Sequence, residues 1–144
     1  MYETTYYSLA KRNITANDIL NILEKARYFN LKREITGCLL FHKNQFIQVL
    51  EGEKSTVQDL FSKIEKDSRH SGIVILAEGD KEQRTFKNWT MAYRELNDDD
   101  IKNMNDTLFV NNFLTFSALA SKPTRTIRSF WARVEKLLTD DYTT

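Results

Sequence analysis

Apolar positions along the first hundred residues alternate between a strand-like and a helix-like period. Thr4 to Ala10 is rich in Thr and Tyr and reads as a strand. Ile19, Leu20, Ile22, Leu23, Ala26 and Phe29 then recur at helical spacing, and Thr15 with Asp18 forms a capping box ahead of them. A helix is expected over residues 16–29. Ile35 to Phe41 is almost continuously apolar, as a central strand covered on both faces would be. Phe46 to Leu50 is a second strand, joined to it by a tight turn at Lys43-Asn44. Ser55 with Gln58 reads as another capping box, and Val57, Leu60, Phe61 and Ile64 carry a helical stripe to Asp67. Gly72 punctuates. Ile73 to Glu78 is a β-branched strand, residues 79–87 a polar connection, and Trp89 to Leu96 a fifth strand.

The order β-α-β-β-α-β-β implies an α+β, ferredoxin-like sheet with two helices on one face. The other face needs a cover, which residues 97–144 must supply. Asn97 caps a short helix whose start carries Asp98, Asp99 and Asp100, a solvated acidic run rather than a metal site. Leu108, Phe109, Phe113, Phe116 and Leu119 form an irregular apolar series, and Pro123 ends it. Ile127, Phe130, Trp131, Val134, Leu137 and Leu138 then repeat at helical spacing, with Arg125, Arg128, Arg133 and Lys136 mostly elsewhere on the wheel. This stripe is expected to dock on the bare sheet face. The chain divides into a core of residues 1–96 and a helical cap of residues 97–144.

Composition narrows the classes. The 144 residues suffice for one domain with a real core, and 21 Lys plus Arg balance 20 Asp plus Glu, which argues against a nucleic-acid partner. No apolar stretch reaches the ~18 residues that span a bilayer, so no membrane role is expected and the cytoplasm is the expected location. The one cysteine, Cys38, lies in an apolar run and reads as a packed thiol. Four glycines leave no room for a Gly-rich nucleotide loop, and two histidines with one cysteine give no zinc pattern. His42 is expected at the surface of a hairpin. His70 is expected to cap the second helix, with a phosphate contact as its functional alternative.

Gln48 is harder to place. It shares a strand face with Phe46 and Leu50, while Ile47 and Val49 take the other. It is either an edge-strand glutamine reaching water, or an amide held against a ligand or a buried hydroxyl. An unpaired buried amide costs about 1–3 kcal/mol. Tyr6, in an apolar first strand, needs a partner for its hydroxyl too, and the two residues can satisfy each other.

The wider pattern resembles the BLUF family, the blue-light sensors that bind a flavin. The resemblance covers roughly residues 2 to 95. It rests on Tyr6-x-Ser8-x-Ala10, Ala26-Arg27-x-x-Asn30, Ile35-Thr36-Gly37, Gln48-Val49-Leu50-Glu51-Gly52, Lys66-Asp67-x-Arg69-His70 and Phe86-x-x-Trp89-x-Met91. It implies that residues 1–96 hold FAD, or FMN, between the two helices. Asn30 would anchor the ring, Lys63 and Asp67 would meet its pyrimidine side and ribityl chain, and Arg69 would point toward the phosphates. Ile22 and Phe46 would form apolar walls. The chain departs from the family at Phe29, where many members carry a polar residue, and at Lys63, often Arg or His in the family.

The resemblance also implies a mechanism without an enzymatic reaction. Light would draw an electron from Tyr6, with its proton moving by way of Gln48. Recombination would leave the Gln48 amide rotated, tautomerised, or both. Trp89 and Met91, with Ser8, would relay the change to the C-terminal helices. Residues 96–144 are too few for an ordinary output domain, so a downstream protein or a homo-oligomer is the expected recipient. The rival readings are a flavin-dependent redox enzyme and a ferredoxin-like regulatory domain without a chromophore.

Overall fold

The computed structural model describes residues 1–87, 90–95 and 124–140, with backbone alone for residue 94 and residues 138–140. The first strand, β1 (Tyr2–Ala10), leads to the capped helix α1 (Ala16–Arg33). The Thr15 hydroxyl accepts from the Asp18 amide at 3.1 Å, and the Asp18 carboxylate accepts from the Thr15 amide at 3.0 Å. The helix runs past the expected end at residue 29, because Leu31, Lys32 and Arg33 are good helix formers and two of them suit the negative C-terminal dipole. It stops at Glu34, in the left-handed region with φ 54°.

The hairpin follows as β2 (Thr36–His42) and β3 (Gln45–Gly52), then α2 (Lys54–Glu65). The cap of α2 is Glu53, not Ser55. Its carboxylate accepts from the amides of Ser55 and Thr56, each at 3.2 Å, and from both hydroxyls at 2.7 Å. A carboxylate meets more donors than a serine can, and its charge suits the helix N-terminus. Those bonds hold its acidity at about 2. His42 is also corrected. It is 3% exposed, because β2 continues through it and pairs it with Gln45.

The sheet order is β4-β1-β3-β2-β5, with β4 (His70–Asp80) and β5 (Ala92–Glu95) at the edges. β1 lies antiparallel to β3 and β4, β2 antiparallel to β3, and β5 parallel to β2. The fifth strand is shorter than residues 89–96. The carbonyls of Thr90 and Met91, just ahead of it, bond the side chains of Asn30 and Arg27 instead. Trp89, the 97–100 helix start and the 108–119 series lie outside the described residues.

Strand alternation gives each sheet face its own core. Ile19, Leu23 and Val57 of the helices pack with Leu50 and Phe46 on one side. On the other, Ile47 and Val49 pack with Ile127, Phe130, Val134 and Leu137 of α3 (Arg125–Asp140). The expected docking of this stripe is therefore observed; the side chain of Leu138 is not among those described. Gly37 lets β2 and β3 close up, since a Cβ there would lie 2.1 Å from the Val49 carbonyl oxygen. Cys38 is a packed thiol, and burial pushes its pKa up to about 12.

The polar 79–87 connection is not simply solvated. Lys81 enters the interior and meets Glu3 at 2.9 Å and Glu51 at 2.7 Å, carboxylates that are 1% and 0% exposed. Glu51 also accepts from the amides of Thr85 and Phe86 and from the Thr36 hydroxyl. Buried charges persist only when paired and hydrogen-bonded in this way. The network fixes the loop that leads toward Met91.

Candidate functional site

The site is a cleft between α1 and α2 above the middle of the sheet, with a cavity of about 300 Å³. Tyr6 and Gln48 are direct cross-strand partners on β1 and β3 and both face it. The Tyr6 hydroxyl donates a short hydrogen bond to Gln48 Oε1. Gln48 Nε2 donates to Met91 Sδ at 3.3 Å. A thioether only accepts, so the amide nitrogen belongs at Met91 and the oxygen at Tyr6. Burial, and then the nearby Asp67 carboxylate, raise the Tyr6 pKa well above its ordinary value. The phenol therefore stays protonated across the physiological range.

Asn30 closes the cleft from the last turn of α1. Its Nδ2 donates to the Thr90 carbonyl at 2.7 Å, while Oδ1 is buried with no partner among the described residues. Ile22 and Phe46 line the cavity as apolar walls, and Lys63, Asp67 and Arg69 line its polar side. Arg69 grips Asp67 with Nε at 2.9 Å and Nη2 at 2.5 Å. That contact holds the Asp67 carboxyl at about 2. Ser8 does not line the cavity; it bonds His70 Nδ1 at 2.7 Å. His70 opens β4, and its Nε2 meets the Ile64 carbonyl of α2 at 2.5 Å, so it ties that helix to the sheet.

Sequence reasoning missed several lining residues, including Lys25, Leu39 and Leu60, and met Phe29 only as a departure from the family. Their signal was present in spacing. Lys25 and Phe29 are one helical turn apart on the face that carries Ile22, Leu60 lies one turn before Lys63, and Leu39 pairs with Gln48 across the strands. Among the described residues, no cluster of His, Cys, Asp and Glu suits a metal ion, and no helix is long and apolar enough to cross a membrane.

A family model described as sensors of blue light using FAD, BLUF, matches residues 1–92. The chain belongs to the BLUF family. Its BLUF region is similar to the photoactivated adenylate cyclase subunit beta of Euglena longa, with 34% identity over 89 residues, 61% of this chain and 10% of that protein. It is also similar to the alpha-like protein FB of Euglena gracilis, with 40% identity over 70 residues, 49% of this chain and 7% of that protein. The chain thus spans no more than 10% of the length of these cyclase relatives. Among solved structures, BlsA in its photo-activated state superposes with a TM-score of 0.68 at 30% identity, covering 85% of this chain and 98% of that one. Klebsiella pneumoniae BlrP1 with FMN and cyclic diGMP gives 0.74 at 27% identity, covering 97% and 35%.

The BLUF cleft fits a flavin on its own chemistry. A flavin ring offers one imide N–H flanked by carbonyl acceptors. Asn30 Oδ1 is a buried acceptor without a donor, and Asn30 Nδ2 keeps a second hydrogen for a carbonyl. Apolar walls on either side suit a planar aromatic ring.

Proposed function

We propose that the Tyr6–Gln48 pair is the light-operated switch of this BLUF domain, and that Met91 carries its state to β5 and α3. The reading is supported above all by the bond chain from the Tyr6 hydroxyl through the Gln48 amide to the Met91 sulfur. Asn30 would hold the ring of FAD, or of FMN, with Ile22 and Phe46 as walls and Lys63 and Asp67 toward its pyrimidine side and ribityl chain. Arg69, expected toward the phosphates, is already bound to Asp67, so its charge is partly spent.

Bound there, an oxidised flavin supplies blue absorption and an excited state that accepts an electron. Tyr6 is the donor. Its buried phenol cannot keep the proton once the electron has left, and the nearest acceptor is Gln48 Oε1. Return of both to Tyr6 restores the phenol with the amide turned over. Nε2 then faces the tyrosine oxygen, which can accept, while Oε1 faces Met91 Sδ, which cannot donate. Two acceptors repel, and Met91 is displaced. Met91 belongs to the flavin-side core and Ala92 packs on the α3 side, so one backbone step links pocket and cap. Trp89 and Ser8 are further candidates for this relay.

The chain would act without substrate turnover, in the cytoplasm, with residues 1–96 as sensor and 97–144 as output segment. Its recipient would be a downstream protein, reached by the chain alone or as a homo-oligomer. Gln48→Leu tests the switch. The variant should bind flavin and show no light-induced red shift, whereas an intact photocycle would remove Gln48 from the mechanism.

A further inference from the structure

Two side chains of α1 reach the segment that leads into β5. Asn30 Nδ2 donates to the Thr90 carbonyl at 2.7 Å, and Arg27 Nε donates to the Met91 carbonyl at 3.1 Å. The two residues lie one helical turn apart on the same face, so they take consecutive carbonyls. The ladder between β2 and β5 starts at Ala92, and β5 is a four-residue strand at the sheet edge. Arg27 thus ties α1 to the residue just ahead of that ladder. Met91 itself faces two ways. Its sulfur accepts from Gln48 Nε2 at 3.3 Å on the flavin side. Its carbonyl, held by Arg27, leads straight to Ala92, which packs on the α3-side core. A methionine side chain turns about three bonds, so side-chain rotation alone can absorb a push from Gln48. Movement of the Met91 backbone is what reaches Ala92, and the Arg27 bond resists that movement.

We propose that Arg27 is the positioning residue of the relay, a latch that holds the Met91 backbone in its dark place and must open before the switch reaches α3. The inference rests on the Tyr6–Gln48–Met91 reading above and adds to it the residue that sets its threshold. Arg27 does not line the flavin cleft, so its removal leaves the photochemistry in place while it frees the output. A hydrogen bond from a charged donor is stronger than a neutral one. Losing it moves the balance about tenfold from the latched toward the released arrangement.

The test is hydrogen exchange across Arg125–Asp140 in darkness and under steady blue light, with absorption spectra of the same flavin-loaded samples. In Arg27→Ala the dark spectrum and the reversible red shift should match wild type. Exchange of the helix in darkness should rise about tenfold, toward the wild-type lit rate, and light should add little. Alanine is the best helix former, so α1 itself is not weakened. Arg27→Gln is the rescue. Its amide nitrogen is bonded to Cδ as the arginine Nε is, so it offers a donor at the same place, and dark protection and light response should return. Lys32→Ala, on the same helix but bonded to the Tyr28 hydroxyl, should behave as wild type. Wild-type dark protection with a full light response in Arg27→Ala would overturn the inference. So would Arg27→Gln behaving as Arg27→Ala, because the charge rather than the bond would then matter. Loss of the red shift in Arg27→Ala would overturn it too, since the residue would then belong to the pocket. A wild type that keeps its red shift while the helix exchanges alike in dark and light would instead contradict the relay reading, and the latch with it.

Discussion

Replacing Met91 by leucine isolates the contact on which the proposed relay turns. Leucine has nearly the volume of methionine, and such swaps cost the fold less than about 1.5 kcal/mol. What disappears is the acceptor at 3.3 Å from Gln48 Nε2. Sulfur accepts weakly, so the dark arrangement should lose about 0.5–1 kcal/mol, the lower part of the range for a net hydrogen bond. The turned amide gains at the same time, since Oε1 no longer faces a lone pair. Both changes favour the light state. With the transition state for amide rotation common to both proteins, the lost dark-state bond leaves the return rate alone, and recovery slows by what the light state gains: relief of about 0.5–1 kcal/mol of repulsion at Met91 slows it about two- to fivefold. The assay is the decay of the red-shifted flavin absorbance in darkness after a blue pulse. Recovery at the wild-type rate, or faster, with the full red shift present, would show that the Gln48–Met91 contact does not set the return.

Three further outcomes follow from other parts of the structure. Lys81→Met should destabilise the domain by about 3–5 kcal/mol in urea unfolding, because Glu3 and Glu51 would stay buried without their cation; a loss below about 1 kcal/mol would mean that water replaces the lysine. Asp67 has a folded-state pKa of about 2 against an ordinary 3.8, held down first by its bonds to Arg69. Its contribution is therefore present above pH 3.8 and is lost as the pH falls toward 2, so acid unfolding of Asp67→Asn should be shallower than wild type over that window. Equal slopes would place the acid sensitivity elsewhere. In hydrogen exchange, light should change protection across Arg125–Asp140 more than across β1 and β3, and unchanged protection of that helix would exclude it as the output element.

Much of the fold was legible because period and caps agree. The capping box at Thr15, the alternation at Phe46 to Leu50 and the stripe from Ile127 to Leu137 each point to one face, and each packs on that face. Errors fell where a side chain competes with a simpler local rule. Glu53 outcompetes Ser55 because one carboxylate serves four donors. The 79–87 connection looks solvated in sequence, since only the fold brings Glu3 and Glu51 to Lys81. The Tyr6–Gln48 pairing was suggested by two polar groups in apolar strands, and cross-strand register brings them together. Met91 was tied to the pocket only by the resemblance, through Phe86-x-x-Trp89-x-Met91; its contact with Gln48 depends on where the chain enters β5, which period and polarity do not announce. Ser8, which the resemblance made part of the relay, has its hydroxyl engaged by His70.

The most direct test of the switch is the light-minus-dark absorption spectrum of flavin-loaded protein, taken in parallel for wild type and Tyr6→Phe. The phenylalanine variant keeps the cleft's shape and loses the hydroxyl bonded to Gln48 Oε1. The account predicts a reversible red shift without bleaching in wild type, and bound flavin with no shift in Tyr6→Phe. A normal, reversible shift in Tyr6→Phe would contradict it.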